Sequence, residues 1–219
     1  MTVNEFHKAW PFLKKQVKTL STPWLENYAG HDRDPFKVLI SCLLSLRTQD
    51  KTTGEASERL FALAPAPEVL AGLPVKTIEK AIYPVGFYRV KSHRVKAISR
   101  EILKRYGGKV PDTIEELLTL KGVGRKTANL VVILGYDKPG ICVDTHVHRI
   151  VNRWGLVRTK NPNETELRLR ELLPVKYWKE LNGMLVAFGQ NICKPVSPIC
   201  SVCVFDNRYC QKVNVSRHR

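Results

Sequence analysis

Acidic residues are scarce in this chain. Its 20 Asp and Glu face 36 Lys and Arg, which gives a formal net charge of +16 and a pI near 9.8. Such an excess attracts polyanions and raises the rate at which they meet the protein. A generally basic surface, a ribosome-associated protein and a protein bound to anionic membranes are the alternatives. The charge balance nevertheless favours a nucleic acid as the partner.

Long apolar runs are also missing. Runs such as Leu130–Leu134 are far shorter than the roughly 20 residues that span a bilayer, so we expect no membrane partner. The first residues do not show a basic segment followed by an apolar stretch, and we expect no signal peptide. Internal repeats, low-complexity tracts and long linkers are absent too. The compact length of 219 residues without a targeting extension leads us to expect a prokaryotic cytoplasmic protein associated with the nucleoid.

Cysteine is sparse, with six residues. Cys42 and Cys142 lie in apolar stretches and are expected to be buried as small hydrophobic side chains. The other four form the pattern C-x6-C-x2-C-x6-C near the end of the chain: Cys193, Cys200, Cys203 and Cys210. In a cytoplasmic protein such a pattern favours metal ligation over disulfides. It can hold a [4Fe–4S] cluster, and structural zinc, which usually takes two close pairs, is the alternative.

Apolar residues recur at helical spacing along most of the chain, which predicts an all-α fold. Asp34-Pro35 is typical of a helix start, and Gly107-Gly108 should end a long helix over Val90–Tyr106. Three later helices should also begin at capping residues. Two of these starts are capping boxes, Asp112 with Glu115 and Asn163 with Glu166, and the third is the N-cap residue Asp144. The basic tail after Cys210 is expected to be frayed.

Two of these predicted helices are joined by the short segment Leu120–Gly124. Gly122 and Gly124 allow a tight turn and a close approach of another backbone. The next helix presents free N–H groups there, which suits a DNA phosphate; an ordinary helical hairpin is the alternative. Lys126 lies in its first turn, where the helix dipole favours the neutral amine that Schiff-base chemistry needs.

Asp144 follows Lys126 by 18 positions. One role for Asp144 is to cap a helix, because aspartate is a preferred N-cap residue. Alternatively its carboxylate faces a sugar with oxocarbenium character, or exchanges protons with Lys126. His146 and His148 have the spacing H-x-H, but side chains two positions apart diverge on a helix, which argues against a metal site.

The run Gly122-Val-Gly-Arg-Lys-Thr-Ala128, followed by Val143-Asp-Thr-His146 and the cysteine tail, resembles the endonuclease III family. This family is the bifunctional branch of the helix–hairpin–helix DNA glycosylases. The resemblance spans about residues 30 to 210. It implies an all-α, two-lobed fold, with a six-helix barrel over residues 28–139 that carries the glycine turn. Residues 1–27 and 140–219 would form an iron–sulfur cluster lobe.

The resemblance further implies a monomeric enzyme that flips an oxidised pyrimidine out of damaged double-stranded DNA, removes it and nicks the strand by β-elimination. Lys126 would be the nucleophile and Asp144 its catalytic partner. The four clustered cysteines would hold a [4Fe–4S] cluster, and Phe87 would intercalate opposite the lesion. The implied DNA-binding residues are Arg47, Phe87, Gly122, Gly124, Arg125 and Lys194.

Two positions depart from the family pattern. Arg47 stands where the family often has glutamine, and six residues rather than five separate the last two cysteines. The rival enzymes are monofunctional mismatch glycosylases, which typically lack the lysine, and 8-oxoguanine lyases, which generally lack the cysteine tail. A non-catalytic DNA-binding iron–sulfur redox sensor is the other alternative, although it leaves the pairing of Lys126 with Asp144 unexplained.

Overall fold

A computed structural model describes residues 1–20, 33–206 and 208–219 of the chain. These residues form helices, turns and loops, with no β-strand among them, which confirms the all-α prediction. The chain divides into two compact units. The turn unit contains residues 33–140, and the cysteine unit contains residues 1–20 and 141–219. The boundary predicted between residues 27 and 28 lies outside the described residues.

Eleven α-helices occur in the described part of the chain. They are α1 (Val3–Val17), α2 (Pro35–Ser45), α3 (Asp50–Leu63), α4 (Pro67–Gly72), α5 (Val75–Ile82), α6 (Tyr88–Tyr106), α7 (Ile114–Thr119), α8 (Arg125–Leu130), α9 (Thr145–Arg153), α10 (Pro162–Leu172) and α11 (Trp178–Asn191). A π-helical turn over Val131–Gly135 continues α8. Short 3-10 turns cover Val175–Tyr177 and Cys200–Val202.

Helix α2 forms the centre of the turn unit, where it packs against α3, α6, α8 and the π-helical turn. Its residues from Phe36 to Leu44 are nearly all buried. Each such aliphatic side chain contributes roughly 1.5–3 kcal/mol by leaving water. The helix begins as predicted, because the Asp34 carboxylate accepts the N–H of Phe36 at 2.8 Å and Pro35 takes the first helical position.

The end of α6 was also predicted correctly, but the start of α7 was not. Gly107 ends α6 with φ of +58°, a left-handed conformation that glycine adopts without strain. Helix α7 is capped by Thr113, whose hydroxyl accepts the N–H of Glu116 at 3.3 Å. The predicted cap, Asp112, instead pairs with Lys138 at 2.6 Å.

The cysteine unit is built on an aromatic core. The rings of Trp154 and Phe205 stack with centroids 4.4 Å apart, and both side chains are fully buried. Phe6 and Trp10 of α1 extend this core to Tyr177. Such ring pairs stabilise the fold beyond the contribution from burying their apolar surface.

The start of α10 differs from the prediction by two residues. Asn161 caps the helix by accepting the N–H of Glu164 at 3.0 Å, and Pro162 occupies its first position. Asn163 and Glu166 lie inside the helix, so the capping prediction for that pair was wrong.

Two further predictions concern burial and the membrane. Cys42 and Cys142 are buried, with exposed fractions of 2% and 0%, as expected. Among the described helices, none combines the length and the apolar character that a membrane crossing requires.

Candidate active site and cysteine cavity

The glycine turn connects α7 to α8. Gly122 has φ of +92°, a conformation that favours glycine; a Cβ built on it would lie 2.9 Å from the flexible end of the Arg94 side chain, which would have to shift. Gly124 is the N-cap of α8 and supplies no side-chain acceptor for its first N–H groups. A Cβ at Gly124 would face open space. The first turn of α8, beginning at Arg125, therefore presents backbone donors beside an unobstructed surface.

Lys126 is the second residue of α8 and is half-buried. Helix α8 packs against α2, which brings the Lys126 charge near the thiol of Cys42. Burial raises the pKa of Cys42 to about 12, and the Lys126 charge opposes that rise. The structure thus places the predicted nucleophile between the glycine turn and the buried centre of the turn unit.

Asp144 is the N-cap of α9 in the cysteine unit, as predicted. Its Oδ1 accepts the N–H of His146 at 2.8 Å and that of Val147 at 2.9 Å. Neither of these two hydrogen bonds involves the other carboxylate oxygen, Oδ2. One half-buried carboxylate can therefore cap the helix through one oxygen and interact with a proton or a cation through the other.

Both histidines of the H-x-H pair contact neighbouring side chains. His148 Nδ1 is 2.7 Å from the hydroxyl of Thr165 on α10, and His146 Nδ1 is 3.1 Å from the Arg149 guanidinium. Burial lowers the pKa of His148, which favours its neutral form. The His148 contact joins α9 to α10, whereas the His146 contact lies within α9.

Arg47 and Phe87 come from different loops of the turn unit, and the structure brings them together. The guanidinium carbon of Arg47 lies 5.8 Å from the centroid of the Phe87 ring, within the range of a cation–π contact. Phe87 is 62% exposed although it is a large apolar side chain. Both residues have positive φ, 55° and 58°. Left-handed backbone is costly for such side chains and is often found at functional loops.

Lys91 was not anticipated from the sequence. This α6 side chain is only 7% exposed, and burial lowers its pKa to about 8. Its Nζ donates to the carbonyl oxygens of Leu44 and Leu46 and to the hydroxyl of Thr48. A lysine on a strongly basic helix gives no sequence signal that distinguishes it from its solvated neighbours.

The four C-terminal cysteines line a single cavity in the cysteine unit, and none of them forms a disulfide. Three of their sulfurs accept N–H groups: Cys203 from Phe205 at 3.4 Å, Cys210 from Lys212 at 3.4 Å, and Cys193 from the Arg153 guanidinium at 3.6 Å. Donors of this kind stabilise thiolate ligands. Burial raises the pKa of Cys203 to about 12, so metal binding there would displace a proton.

The four C-terminal thiols form a donor set for a metal group that binds thiolates. No three of the described His, Cys, Asp or Glu side chains are grouped to hold a metal ion. Around one ion the ligand atoms converge on a point, whereas in a [4Fe–4S] cluster each of four thiolates binds its own iron. The four thiols line one cavity and N–H groups donate to three of their sulfurs, so the donor set fits thiolate ligation of a metal group.

Lys194 and the C-terminal tail lie beside this cavity. Buried Arg153 donates to the carbonyl oxygens of Lys194 and Pro195, both at 2.6 Å, which fixes the loop that carries Lys194. The tail is not frayed, contrary to expectation. Its backbone bonds to the rest of the unit, since Arg219 donates to Pro198 at 2.8 Å and accepts from Ser201 at 2.9 Å.

Comparison with known proteins agrees with this geometry. Residues 40–175 match the model of the HhH-GPD superfamily base excision DNA repair proteins. Over 176 residues the chain is 49% identical to endonuclease III of Thermotoga maritima, covering 80% of this chain and 83% of that one. The chain belongs to the endonuclease III family. The resemblance to this family that its sequence motifs indicate is thereby confirmed.

Solved structures extend the match to the whole fold. A trapped covalent intermediate of an endonuclease III with DNA, in an estranged-adenine complex, has a TM-score of 0.85 at 29% identity and covers 97% of both chains. A thermostable thymine-DNA glycosylase has a TM-score of 0.81 at 25% identity, covering 95% of this chain and 97% of that one. As a member of this family, the protein is a bifunctional DNA glycosylase and AP lyase of base excision repair.

Proposed function

We propose that Lys126 is the nucleophile and Asp144 its catalytic partner in the removal of oxidised pyrimidines. The observation that carries this proposal is the position of Lys126 directly after the glycine turn, half-buried in the first turn of α8. A DNA backbone gripped by the turn would bring a sugar close to this amine. The trapped covalent endonuclease III–DNA intermediate of the same fold supports a covalent route.

The proposed reaction has two stages. The neutral Lys126 amine attacks C1′ as the C1′–N bond breaks, and the departing base takes the bonding electrons and a proton. The Asp144 carboxylate stabilises the cationic sugar and exchanges protons with the lysine. The C1′–O4′ bond of the resulting aminal then breaks, O4′ takes a proton, and C1′ forms a Schiff base with Lys126. Loss of a C2′ proton from this Schiff base expels the 3′ phosphate by β-elimination. Water finally hydrolyses the imine and releases Lys126.

The proposed substrate is damaged double-stranded DNA, bound by a monomer. Backbone N–H groups at Gly122, Gly124 and Arg125 would hold one phosphate, and Lys194 would contact the backbone through its own charge. Arg47 and Phe87 would occupy the space left when the damaged base is flipped out. Flipping costs a few kcal/mol, and a damaged base lowers that cost. The excess of basic residues over the whole chain supports this assignment.

We also propose the two-lobed organisation that the family implies, with a six-helix barrel over residues 28–139 and an iron–sulfur lobe of residues 1–27 and 140–219. Cys193, Cys200, Cys203 and Cys210 would hold a [4Fe–4S] cluster. When bound, this group would supply a rigid cross-link for the cysteine unit. Arg153 would then orient both a cysteine ligand and the loop of Lys194, because it donates to both.

Borohydride trapping tests the proposed nucleophile. Duplex DNA containing a thymine glycol is incubated with the parent, with Lys126→Ala and with Lys104→Ala, an exposed lysine in the last turn of α6. We expect a covalent adduct and a nicked strand for the parent and for Lys104→Ala, and neither for Lys126→Ala. Base release without an adduct in the parent would support the monofunctional alternative. An adduct with Lys126→Ala would assign the nucleophile to another amine.

A further inference from the structure

The buried ammonium of Lys91 lies under the loop that carries Arg47. Its Nζ is 2.7 Å from the carbonyl oxygen of Leu44, 2.6 Å from that of Leu46 and 3.1 Å from the hydroxyl of Thr48. An ammonium has three N–H donors, so these acceptors use all of its hydrogen-bonding capacity. The contacts bracket Arg47 on both sides and fix its left-handed backbone, whose φ is 55°.

The same lysine also belongs to the segment of Phe87. Lys91 lies one helical turn after Phe87, and its backbone N–H donates to the Phe87 carbonyl oxygen at 3.0 Å. Thr48 links the two segments again, because its hydroxyl accepts the N–H of Gly86 at 3.2 Å. Gly86 approaches so closely that a Cβ there would lie 2.6 Å from the Arg47 carbonyl oxygen.

We propose that Lys91 is a positioning residue that joins the Arg47 loop to the Phe87 loop, so that both side chains enter the DNA as one unit. The proposal rests on the insertion role assigned to Arg47 and Phe87 above. Within the described part of the chain, the contact seen for the Arg47 guanidinium is the one with the exposed Phe87 ring. Lys91 holds the Arg47 loop rigid from its buried side through three hydrogen bonds. Burial makes these hydrogen bonds stronger than they would be in water.

The test compares duplex with single-stranded DNA that carries an abasic site made from deoxyuridine. Single-stranded DNA presents no gap between stacked base pairs, so it does not need the inserted pair. We expect Lys91→Met to slow borohydride trapping on the duplex by about 10- to 100-fold, the scale on which misplacement slows reactions. Trapping on the single strand should stay within about twofold of the parent.

Lys96→Met is the matched control. Lys96 lies on the same helix and also donates to a backbone carbonyl, that of Leu73, in a loop that carries neither Arg47 nor Phe87. We expect this variant to leave both trapping rates unchanged. A second readout is the fluorescence of 2-aminopurine placed opposite the abasic site, which reports insertion directly. Binding of Lys91→Met should change this fluorescence less than binding of the parent does.

The outcomes separate the proposals. Equal slowing of trapping on both DNAs would show that Lys91 supports the fold in general, and would overturn the positioning role. If Arg47→Ala and Phe87→Ala do not slow duplex trapping, the insertion role fails, and the Lys91 proposal fails with it while the nucleophile stands. No adduct with the parent on either DNA would instead refute the proposed function. If Lys91→Met does not fold, Thr48→Val removes one bridging hydroxyl, and the same selective loss on the duplex is expected.

Discussion

The guanidinium carbon of Arg47 lies 5.8 Å from the centroid of the Phe87 ring, and the two residues have nearly equal positive φ values of 55° and 58°. They stand 40 positions apart in the chain. A pair of side chains held in costly backbone conformations, with one ring 62% exposed, is a poor arrangement for stability alone. It is a reasonable arrangement for entering a DNA stack.

Replacing Phe87 by glycine should therefore separate stability from activity. Glycine relieves the left-handed strain, so we expect Phe87→Gly to raise the free energy of unfolding by up to about 1 kcal/mol. Excision from duplex DNA should fall by about tenfold or more because the inserted ring is lost. Urea unfolding and single-turnover excision measure the two effects.

The control for this change is Asn214→Gly, at an exposed position with φ of 58°. Asparagine tolerates this conformation better than phenylalanine, so the gain in stability should be smaller and excision unchanged. Unaltered excision by Phe87→Gly would exclude the ring from the DNA-binding surface.

The two roles of Asp144 can be separated by two substitutions. Asp144→Asn keeps an oxygen that accepts the N–H groups of His146 and Val147, so stability should change by less than about 0.5 kcal/mol. Without the carboxylate, the excision rate should fall by about 10²- to 10⁴-fold. Asp144→Ala should lose the cap as well, at a cost of about 1 kcal/mol. Full excision activity in Asp144→Asn would leave only the capping role.

The cysteine cavity predicts a metal content. Purified protein should contain about four irons and four labile sulfides per chain. Cys203→Ser should lower this content, whereas Cys42→Ser, at a buried thiol in the other unit, should retain it. Iron, sulfide and zinc analyses check the prediction. About one zinc per chain without sulfide would favour the structural zinc alternative.

Acid should weaken the cysteine unit through His148. Burial lowers the pKa of this histidine below its ordinary value of 6.5, so in mildly acidic solution the unfolded chain binds a proton more readily than the folded one. The contribution of neutral His148 is fully present above pH 6.5 and is lost as pH falls below it. Unfolding by urea between pH 5 and pH 8 measures this slope, and His148→Gln should reduce it. An unchanged slope in the variant would assign the acid sensitivity to other groups.

The glycine turn, the lysine after it and several helix ends followed from local rules. Asp34, Gly107 and Asp144 act within one or two turns of their own position, so the sequence around them is sufficient to predict the caps. The start of α10 also follows a local rule, because Asn161 precedes a proline at the first helical position. This signal outweighs the pattern of Asn163 with Glu166, which lies inside the helix.

Other features depended on residues far apart in the chain. Asp112 could not be rejected as a cap from its neighbours, because its carboxylate is taken by Lys138, 26 positions later. Lys91 is distinguished from the other basic residues of α6 only by the carbonyl groups that the Arg47 loop brings to it. The sequence by itself determined the all-α class, the cysteine spacing and the turn before Lys126, since these rest on local periodicity and backbone preference. Only the tertiary structure decided which lysine is buried and which loops meet, because a hydrogen bond between distant segments exists only once packing has brought donor and acceptor together.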